Sequence, residues 1–161
     1  MNKLLAFGAS SSKNSRNKKL ASYVANRMAP KEAILVDLNE FEMPIYSEDR
    51  EQEIGIPDKA YEFKKLVNES IGIIISLAEH NGSYTSAFKN IYDWISVIET
   101  NVWGSKPLIF YQLVMDKMLA KQCFKQPYLA FLDKVNRKFL IFHFQTLMKT
   151  FLMLMELSTK N

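Results

Sequence analysis

Two polar segments of this 161-residue chain carry side chains that could bind a phosphate or another polar ligand. The first follows the apolar run 3–7 and reads Gly-Ala-Ser-Ser-Ser-Lys-Asn-Ser-Arg-Asn over residues 8–17. The second follows the β-branched run 71–77 and reads Ala-Glu-His-Asn-Gly-Ser over residues 78–83. Hydroxyls, amides and free backbone N–H groups at a helix N-terminus suit an anion, which the helix dipole also favours.

The first segment matches neither of the common nucleotide motifs. It lacks the Gly-x-x-x-x-Gly-Lys-Ser/Thr pattern of a triphosphate loop and the Gly-x-Gly-x-x-Gly pattern of a dinucleotide fingerprint. A structural alternative stays open, in which Ser15 is only the N-cap of the next helix and the serines form a solvated turn.

The hydrophobic pattern predicts strands that alternate with helices. We expect strands over 3–7, 33–38, 71–77 and 107–110, helices over 15–28, 57–68 and 84–99, and a loop over 78–83. This alternation is typical of a parallel sheet with helices on both faces, here in a single domain over residues 1–161. Ligands bind such sheets outside the carboxyl ends of the strands, where the two polar segments would lie side by side.

The second segment and the helix after it carry a resemblance to a known family. Residues 79–84 read Glu-His-Asn-Gly-Ser-Tyr and residues 88–94 read Phe-Lys-Asn-Ile-Tyr-Asp-Trp. This resembles the NAD(P)H-dependent FMN reductases, which have Pro-Glu-Tyr-Asn-Gly-Ser and then Leu-Lys-Asn-x-Ile-Asp-Trp. Ser10, Ser15 and Asn17 match the spacing of that family's phosphate loop, Gly-Ser-x-Arg-x-x-Ser-x-Asn. The resemblance covers about residues 2–110 and implies a flavodoxin-like, doubly wound α/β fold with strand order 2-1-3-4-5.

The resemblance also implies a cofactor, FMN, and a co-substrate, NAD(P)H. The implied cofactor-binding residues are Ser10, Ser12, Ser15, Asn17, Glu79, His80, Asn81, Gly82 and Ser83. The first four would surround the phosphate, and backbone amides of the second segment would meet the edge of the flavin ring. No catalytic residue is predicted, because the cofactor carries the chemistry.

Three departures from the family pattern fall within these segments. Ala78 stands where the family has proline, and His80 stands where it has tyrosine. Ser12 replaces an arginine, which leaves Lys13 or Arg16 as charge partners of the phosphate. On the following helix, Asn90 and Asp93 lie on one face and suit a structural hydrogen bond or a subunit contact. No catalytic role is expected for these two residues or for Lys89 and Trp94.

Composition restricts the other classes of function. The formal net charge is +4, but residues 1–110 sum to −1 and residues 111–161 to +5, with scattered lysines. Such scatter does not favour nucleic-acid binding. One cysteine and two histidines predict neither a disulfide framework nor a metal site. Apolar runs of about eight residues are too short to cross a bilayer, so we expect a cytoplasmic protein.

The last third of the chain departs from the family. After residue 110 the family continues with Ser-Thr-Ser-x-Gly-x-x-Gly-Gly, whereas residues 111–117 read Tyr-Gln-Leu-Val-Met-Asp-Lys. Read from the third base of each codon, suitable synonymous codons spell Ser-Thr-Ser-Asp-Gly-Gln-Asn-Ala-Gly from residue 111. The same frame spells Ser-Phe-Ser-Asn-Phe-Asn-Glu-Asn-Phe from residue 142. We therefore predict that residues from about 111 onward are a frame-shifted tail, which makes the fifth strand doubtful.

The sequence as a whole predicts an FMN-binding oxidoreductase that passes electrons from NAD(P)H through FMN to flavin, quinone or azo acceptors. The resemblance implies a homodimer or homotetramer. Two alternatives stay open. One is an FMN-binding electron carrier without NAD(P)H activity, and the other is a damaged, inactive member of the family.

Overall fold

The computed structural model describes residues 3–30, 32–112 and 139–142, with side chains described as far as residue 110. The strands are β1 Lys3–Ala9, β2 Ala33–Val36, β3 Ser70–Leu77, β4 Glu79–His80, β5 Ser83–Tyr84, β6 Leu108–Gln112 and β7 Phe139–Phe142. The helices are α1 Arg16–Met28, α2 Glu48–Ile54, α3 Asp58–Glu69 and α4 Ser86–Ile98, with a 3-10 helix at Leu38–Phe41. Every predicted strand and helix within the described residues is present, and α2, the 3-10 helix and the short strands β4 and β5 are additions.

Five strands form one parallel sheet in the order β2-β1-β3-β6-β7. Because β4 and β5 form a separate hairpin, this is the predicted order 2-1-3-4-5, and the doubly wound α/β fold is confirmed. Ala9 pairs with Leu77, so β1 and β3 end beside each other. The two polar segments therefore leave the sheet at neighbouring points.

The fifth strand, left in doubt by the sequence, is present as β7. Its four residues read Phe-Leu-Ile-Phe and pair in parallel with residues 108–111 of β6. An unbroken apolar run of this kind suits a strand in a parallel sheet. The rest of the predicted frame-shifted tail, 113–138 and 143–161, lies outside the described residues.

The strand β1, which lies between β2 and β3, is buried on both faces of the sheet. Leu5, Phe7 and Ala9 face the core beneath α3 and α4, whereas Ala6 packs with α1 on the opposite face. The Phe7 ring lies 5.5 Å from Phe63 of α3, centroid to centroid. This two-sided burial explains why β1 reads as a continuous apolar run rather than an alternating one.

Two buried tryptophans sit in the larger core. Trp94 of α4 donates its Nε1–H to the Pro44 carbonyl oxygen at 2.7 Å. Trp103 stacks on Phe88, with ring centroids 6.4 Å apart and planes 8° from parallel. Among the described residues, Trp103 Nε1 is the buried side-chain nitrogen that has no hydrogen-bond partner.

A buried lysine joins α3 to the segment between α4 and β6. Lys64 is only 3% exposed, and its Nζ donates to the carbonyl oxygens of Val102 at 2.6 Å and Asn101 at 3.1 Å. The same ammonium lies 2.9 Å from a carboxylate oxygen of Glu99. Three acceptors thus compensate the loss of water around the charge.

Candidate functional site

The first polar segment is held in place by close contact between β1 and α1. A Cβ atom built on Gly8 would lie 2.2 Å from the Lys18 backbone nitrogen and 2.6 Å from the Asn17 carbonyl carbon. Real atoms do not approach so closely, so a residue with a side chain would push the start of α1 away from the sheet. Gly8 therefore lets the N-terminus of α1 lie at the end of β1.

Ser15 caps α1, as the structural alternative predicted. Its Oγ accepts from the Lys18 N–H at 3.2 Å, and its own N–H donates to the Ser12 carbonyl oxygen at 3.1 Å. The cap uses Ser15 Oγ as an acceptor, so the hydroxyl hydrogen remains able to donate. Capping and ligand binding are compatible at this residue.

The other predicted phosphate residues differ in burial. Asn17 is buried, and its Oδ1 accepts from the Ser76 hydroxyl of β3 at 2.8 Å, which leaves the amide hydrogens as donors. Ser10 is also buried, and its Oγ accepts from the Ser12 N–H at 3.2 Å. The Ser12 side chain is exposed. Ser10, Ser15 and Asn17 are thus the buried members of the set.

Thr85, two residues after the second polar segment, bonds to the first segment and was missed by the sequence analysis. Its Oγ1 donates to the Ala9 carbonyl oxygen at 2.9 Å and accepts from the Phe88 N–H at 3.2 Å. A threonine just before a helix is a frequent N-cap, and this signal was present in the sequence. The bond to Ala9, 76 positions away, has no such signal.

The prediction of a loop over 78–83 is wrong, because residues 79–84 form a β-hairpin. Glu79 pairs with Tyr84 and His80 with Ser83. The turn residues Asn81 and Gly82 have φ values of 53° and 80°, as a type I′ turn requires. An Asn-Gly pair is a strong hairpin signal, so the sequence contained the information needed.

The hairpin has an internal hydrogen bond that bears on ligand binding. The Gly82 N–H donates to Glu79 Oε1 at 2.5 Å. Glu79, Gly82 and Ser83 are half-buried, whereas His80 and Asn81 are exposed. One of the backbone donors that the resemblance assigns to the flavin ring is thus bound to a carboxylate.

The polar residues of α4 hold the segment before α2. Asn90 Oδ1 accepts from the Tyr46 N–H at 2.8 Å, and Asn90 Nδ2 donates to the carbonyl oxygens of Met43 and Pro44. Lys89 and Asp93 form an ion pair along the helix. Of the two roles predicted for these residues, the structural hydrogen bond is confirmed for Asn90, and the subunit contact stays a prediction.

An ion pair lies between the first turn of α1 and the residue that follows β2. Lys18 Nζ donates to a carboxylate oxygen of Asp37, and this bond is the main reason that the pKa of Asp37 is lowered. The carboxylate is therefore ionised at neutral pH and compensates one cation near the start of α1. Lys13 and Arg16, the predicted charge partners of the phosphate, are exposed at the same end of the helix.

Two features are absent from the described part of the chain. Within residues 3–30, 32–112 and 139–142, no three His, Cys, Asp or Glu side chains are grouped as metal ligands. Among the same residues, no helix has the length and apolar character that a membrane span requires.

Fold and site together define a flavodoxin-like α/β protein in which the N-terminus of α1 and a short hairpin lie at neighbouring strand ends. The model of the NADPH-dependent FMN reductase family matches residues 2–123. The chain therefore belongs to that family. The match extends past residue 110, where the sequence resemblance ended.

Individual relatives agree with this assignment. The chain is 32% identical over 96 residues to a 2-hydroxy-1,4-benzoquinone reductase from a Burkholderia species, covering 59% of this chain and 51% of the relative. It is 27% identical over 82 residues to a quinone reductase of Escherichia coli K12, covering 51% and 44%. The chain thus spans about half the length of the curated relatives it matches.

Solved structures share the fold. The flavoenzyme NAD(P)H:(acceptor) oxidoreductase FerB from Paracoccus denitrificans superposes with a TM-score of 0.65 at 20% identity, covering 90% of this chain and 77% of that one. An oxidoreductase from Corynebacterium diphtheriae gives a TM-score of 0.61 at 17% identity, with 88% and 79% covered.

Proposed function

We propose that this protein is an FMN-dependent oxidoreductase that passes electrons from NAD(P)H to small-molecule acceptors such as quinones, flavins or azo compounds. Membership of the FMN reductase family supports the proposal, and so does the similarity to the two quinone reductases. The observation that carries it is the meeting of two polar segments at the ends of β1 and β3, joined by Thr85.

The side chains of the first segment fit a phosphate. Ser15 and Asn17 retain a hydroxyl and an amide donor at the N-terminus of α1, and both residues are held by hydrogen bonds within the protein. Donors fixed in advance lose little conformational entropy when an anion binds. The site thus combines ordered donors, the dipole of α1 and nearby cations.

The hairpin fits a planar ring at the same edge of the sheet. FMN would supply the redox centre that accepts hydride from NAD(P)H and reduces the acceptor. Glu79–Ser83 would orient the ring, with backbone groups of the turn approaching its polar edge and His80 beside it. No catalytic side chain is assigned, because the cofactor would carry the chemistry and water can supply the proton that a quinone takes up.

Removing two phosphate donors should weaken FMN binding. In the double variant Ser15→Ala/Asn17→Ala, we expect at least a tenfold higher Kd, because a hydrogen bond to a charged group contributes about 1.5–3 kcal/mol. Titration of FMN fluorescence measures the change. Ser15→Asp is a second test, since aspartate keeps the N-cap but repels a phosphate.

The matched control for this variant is Ser22→Ala/Asn26→Ala, which removes the same groups further along α1, where Asn26 donates to Ser22. This control should leave the Kd unchanged. Equal Kd values for both double variants and the parent would mean that the first segment only caps the helix.

Reduction of bound flavin by NAD(P)H, followed in a stopped-flow instrument, separates a reductase from an electron carrier. In a carrier without an NAD(P)H site the flavin would stay oxidised and yellow.

We also propose that residues 1–161 form one domain, that the protein is a cytoplasmic homodimer or homotetramer, and that residues from about 111 derive from a shifted frame. A single cysteine supports a reducing compartment. The curated relatives match over 96 and 82 residues, which is consistent with a tail unlike theirs.

Restoring the alternative frame from residue 111 should improve FMN binding. Tyr111 and Gln112 pair with Ser76 and Leu77, so β6 ends beside the end of β3, which the hairpin follows. A glycine-rich loop there would bring backbone N–H groups close to the ring, which bulky side chains prevent. We expect FMN to bind at least tenfold tighter, or about 1.4 kcal/mol, in a fluorescence titration.

Two results would contradict these expectations, the first the gain in affinity and the second the frame proposal itself. One is equal FMN affinity of the two chains, which would mean that the first two segments form the site alone. The other is a gene sequence whose codons cannot spell the two recovered motifs in the shifted frame.

A further inference from the structure

The inference concerns the carboxylate of Glu79, and it rests on the proposed function. Glu79 Oε1 accepts the backbone N–H of Gly82 at 2.5 Å, across the turn of the hairpin. The hairpin directly follows β3, whose end lies beside the first polar segment. This N–H is therefore a donor at the candidate ligand site that already has a partner within the protein.

The hairpin does not need this bond to form its turn. Asn81 and Gly82 have the positive φ angles of a type I′ turn, and these are the two residue types that adopt such angles at lowest cost. His80 and Ser83 continue the antiparallel pairing on either side. The turn residues and the pairing thus account for the hairpin, and the carboxylate satisfies a donor that would otherwise face solvent or a ligand.

We propose that Glu79 is a positioning residue that holds the Gly82 N–H in the absence of a ligand and must release it when a carbonyl oxygen of the flavin ring takes its place. The exchange replaces one acceptor by another, with no change in covalent bonds. Breaking a charge-assisted bond costs free energy, so the carboxylate lowers the affinity for the ring. Glu79 also places a negative charge beside the ring edge.

Two substitutions separate the acceptor from its charge. Glu79→Ala removes both, so we expect FMN to bind about three- to tenfold tighter. Glu79→Gln keeps an amide oxygen that can accept from Gly82 but removes the charge, and should give an intermediate affinity. Glu53→Ala removes an exposed carboxylate on α2 and is the matched control, with an unchanged Kd expected.

The second readout is hydrogen exchange of the Gly82 amide, followed by NMR without FMN. We expect this amide to be protected in the parent, less protected in Glu79→Gln and fastest in Glu79→Ala, while the other hairpin amides keep their rates. On adding FMN, the Gly82 amide should become protected in all three proteins. A purely structural role of Glu79 would instead change the rates of the whole hairpin.

Different results would overturn the role of Glu79 and the proposed function. Weaker FMN binding by Glu79→Ala with an intact hairpin would overturn the proposal, because the carboxylate would then assist the ligand. Equal exchange of Gly82 in the parent and in Glu79→Ala would overturn it as well. A parent protein that binds no FMN, although Gly82 exchange depends on Glu79, would refute the proposed function and the release step, but not the contact itself.

Discussion

Replacing Gly8 by alanine should destabilise the protein by at least about 3 kcal/mol, at the upper end of the cost of overpacking. The new methyl group would lie 2.2 Å from the backbone nitrogen of Lys18, and backbone atoms can only give way if α1 moves as a whole. Movement of α1 would also displace Ser15 and Asn17. We therefore expect both a lower urea midpoint and the loss of FMN binding.

Two other glycines serve as controls for this experiment. At Gly72, the nearest atom to an added Cβ is the side-chain Cδ1 of Leu4 at 3.2 Å, which can rotate away. Gly55 has open space around it and a φ of 73°, so alanine there causes only backbone strain. Each should cost about 1–2 kcal/mol or less. A Gly8→Ala variant as stable as these two would show that β1 and α1 are not in close contact.

Lys64→Met should destabilise the protein by about 2–4 kcal/mol, because the carbonyl oxygens of Asn101 and Val102 lose a charged donor. Methionine retains the length and the apolar stem of the lysine, so the effect reports the ammonium group rather than a cavity. Glu99 is 45% exposed and can be hydrated once its partner is gone, which keeps the cost below that of a fully buried charge.

The neighbouring residue provides the matched control for Lys64. Lys65 is 74% exposed and lies 3.9 Å from Glu69, a distance and exposure at which an ion pair contributes little. Lys65→Met should change the free energy of unfolding by less than about 0.5 kcal/mol in urea denaturation. Equal effects of the two substitutions would mean that the Lys64 ammonium is not compensated by buried acceptors.

The fold could be predicted because its signals are local. The apolar run that became β1, the β-branched run that became β3 and the apolar spacing of α1 are each visible within a few residues. Their alternation then restricts the topology to a parallel sheet. The helix α2 was missed because none of its residues is buried, so its sequence has no apolar stripe.

The site was predicted only in part, because its contacts join residues that are distant in the chain. Ser15 and Asn17 were named from their spacing, but the bond from Ser76 to Asn17 spans 59 positions. The burial of Lys64 depends on carbonyl groups 37 and 38 positions away, so no local pattern distinguishes it from exposed Lys65. Glu79 was named as a ligand residue, and its contact with Gly82 emerged only from the hairpin geometry.

The fluorescence of the two tryptophans offers a probe of unfolding at a known place in the core. Both rings lie in the core beneath α4, at residues 94 and 103, and no other tryptophan exists in the sequence. Their emission at short wavelength would report solvent entry into this core, whatever happens to residues 113–138 and 143–161. Since the Trp94 N–H is hydrogen-bonded and the Trp103 N–H has no partner among the described residues, the two fluorophores should also differ in lifetime. Single-tryptophan variants would then resolve unfolding at α4 from unfolding at the segment before β6.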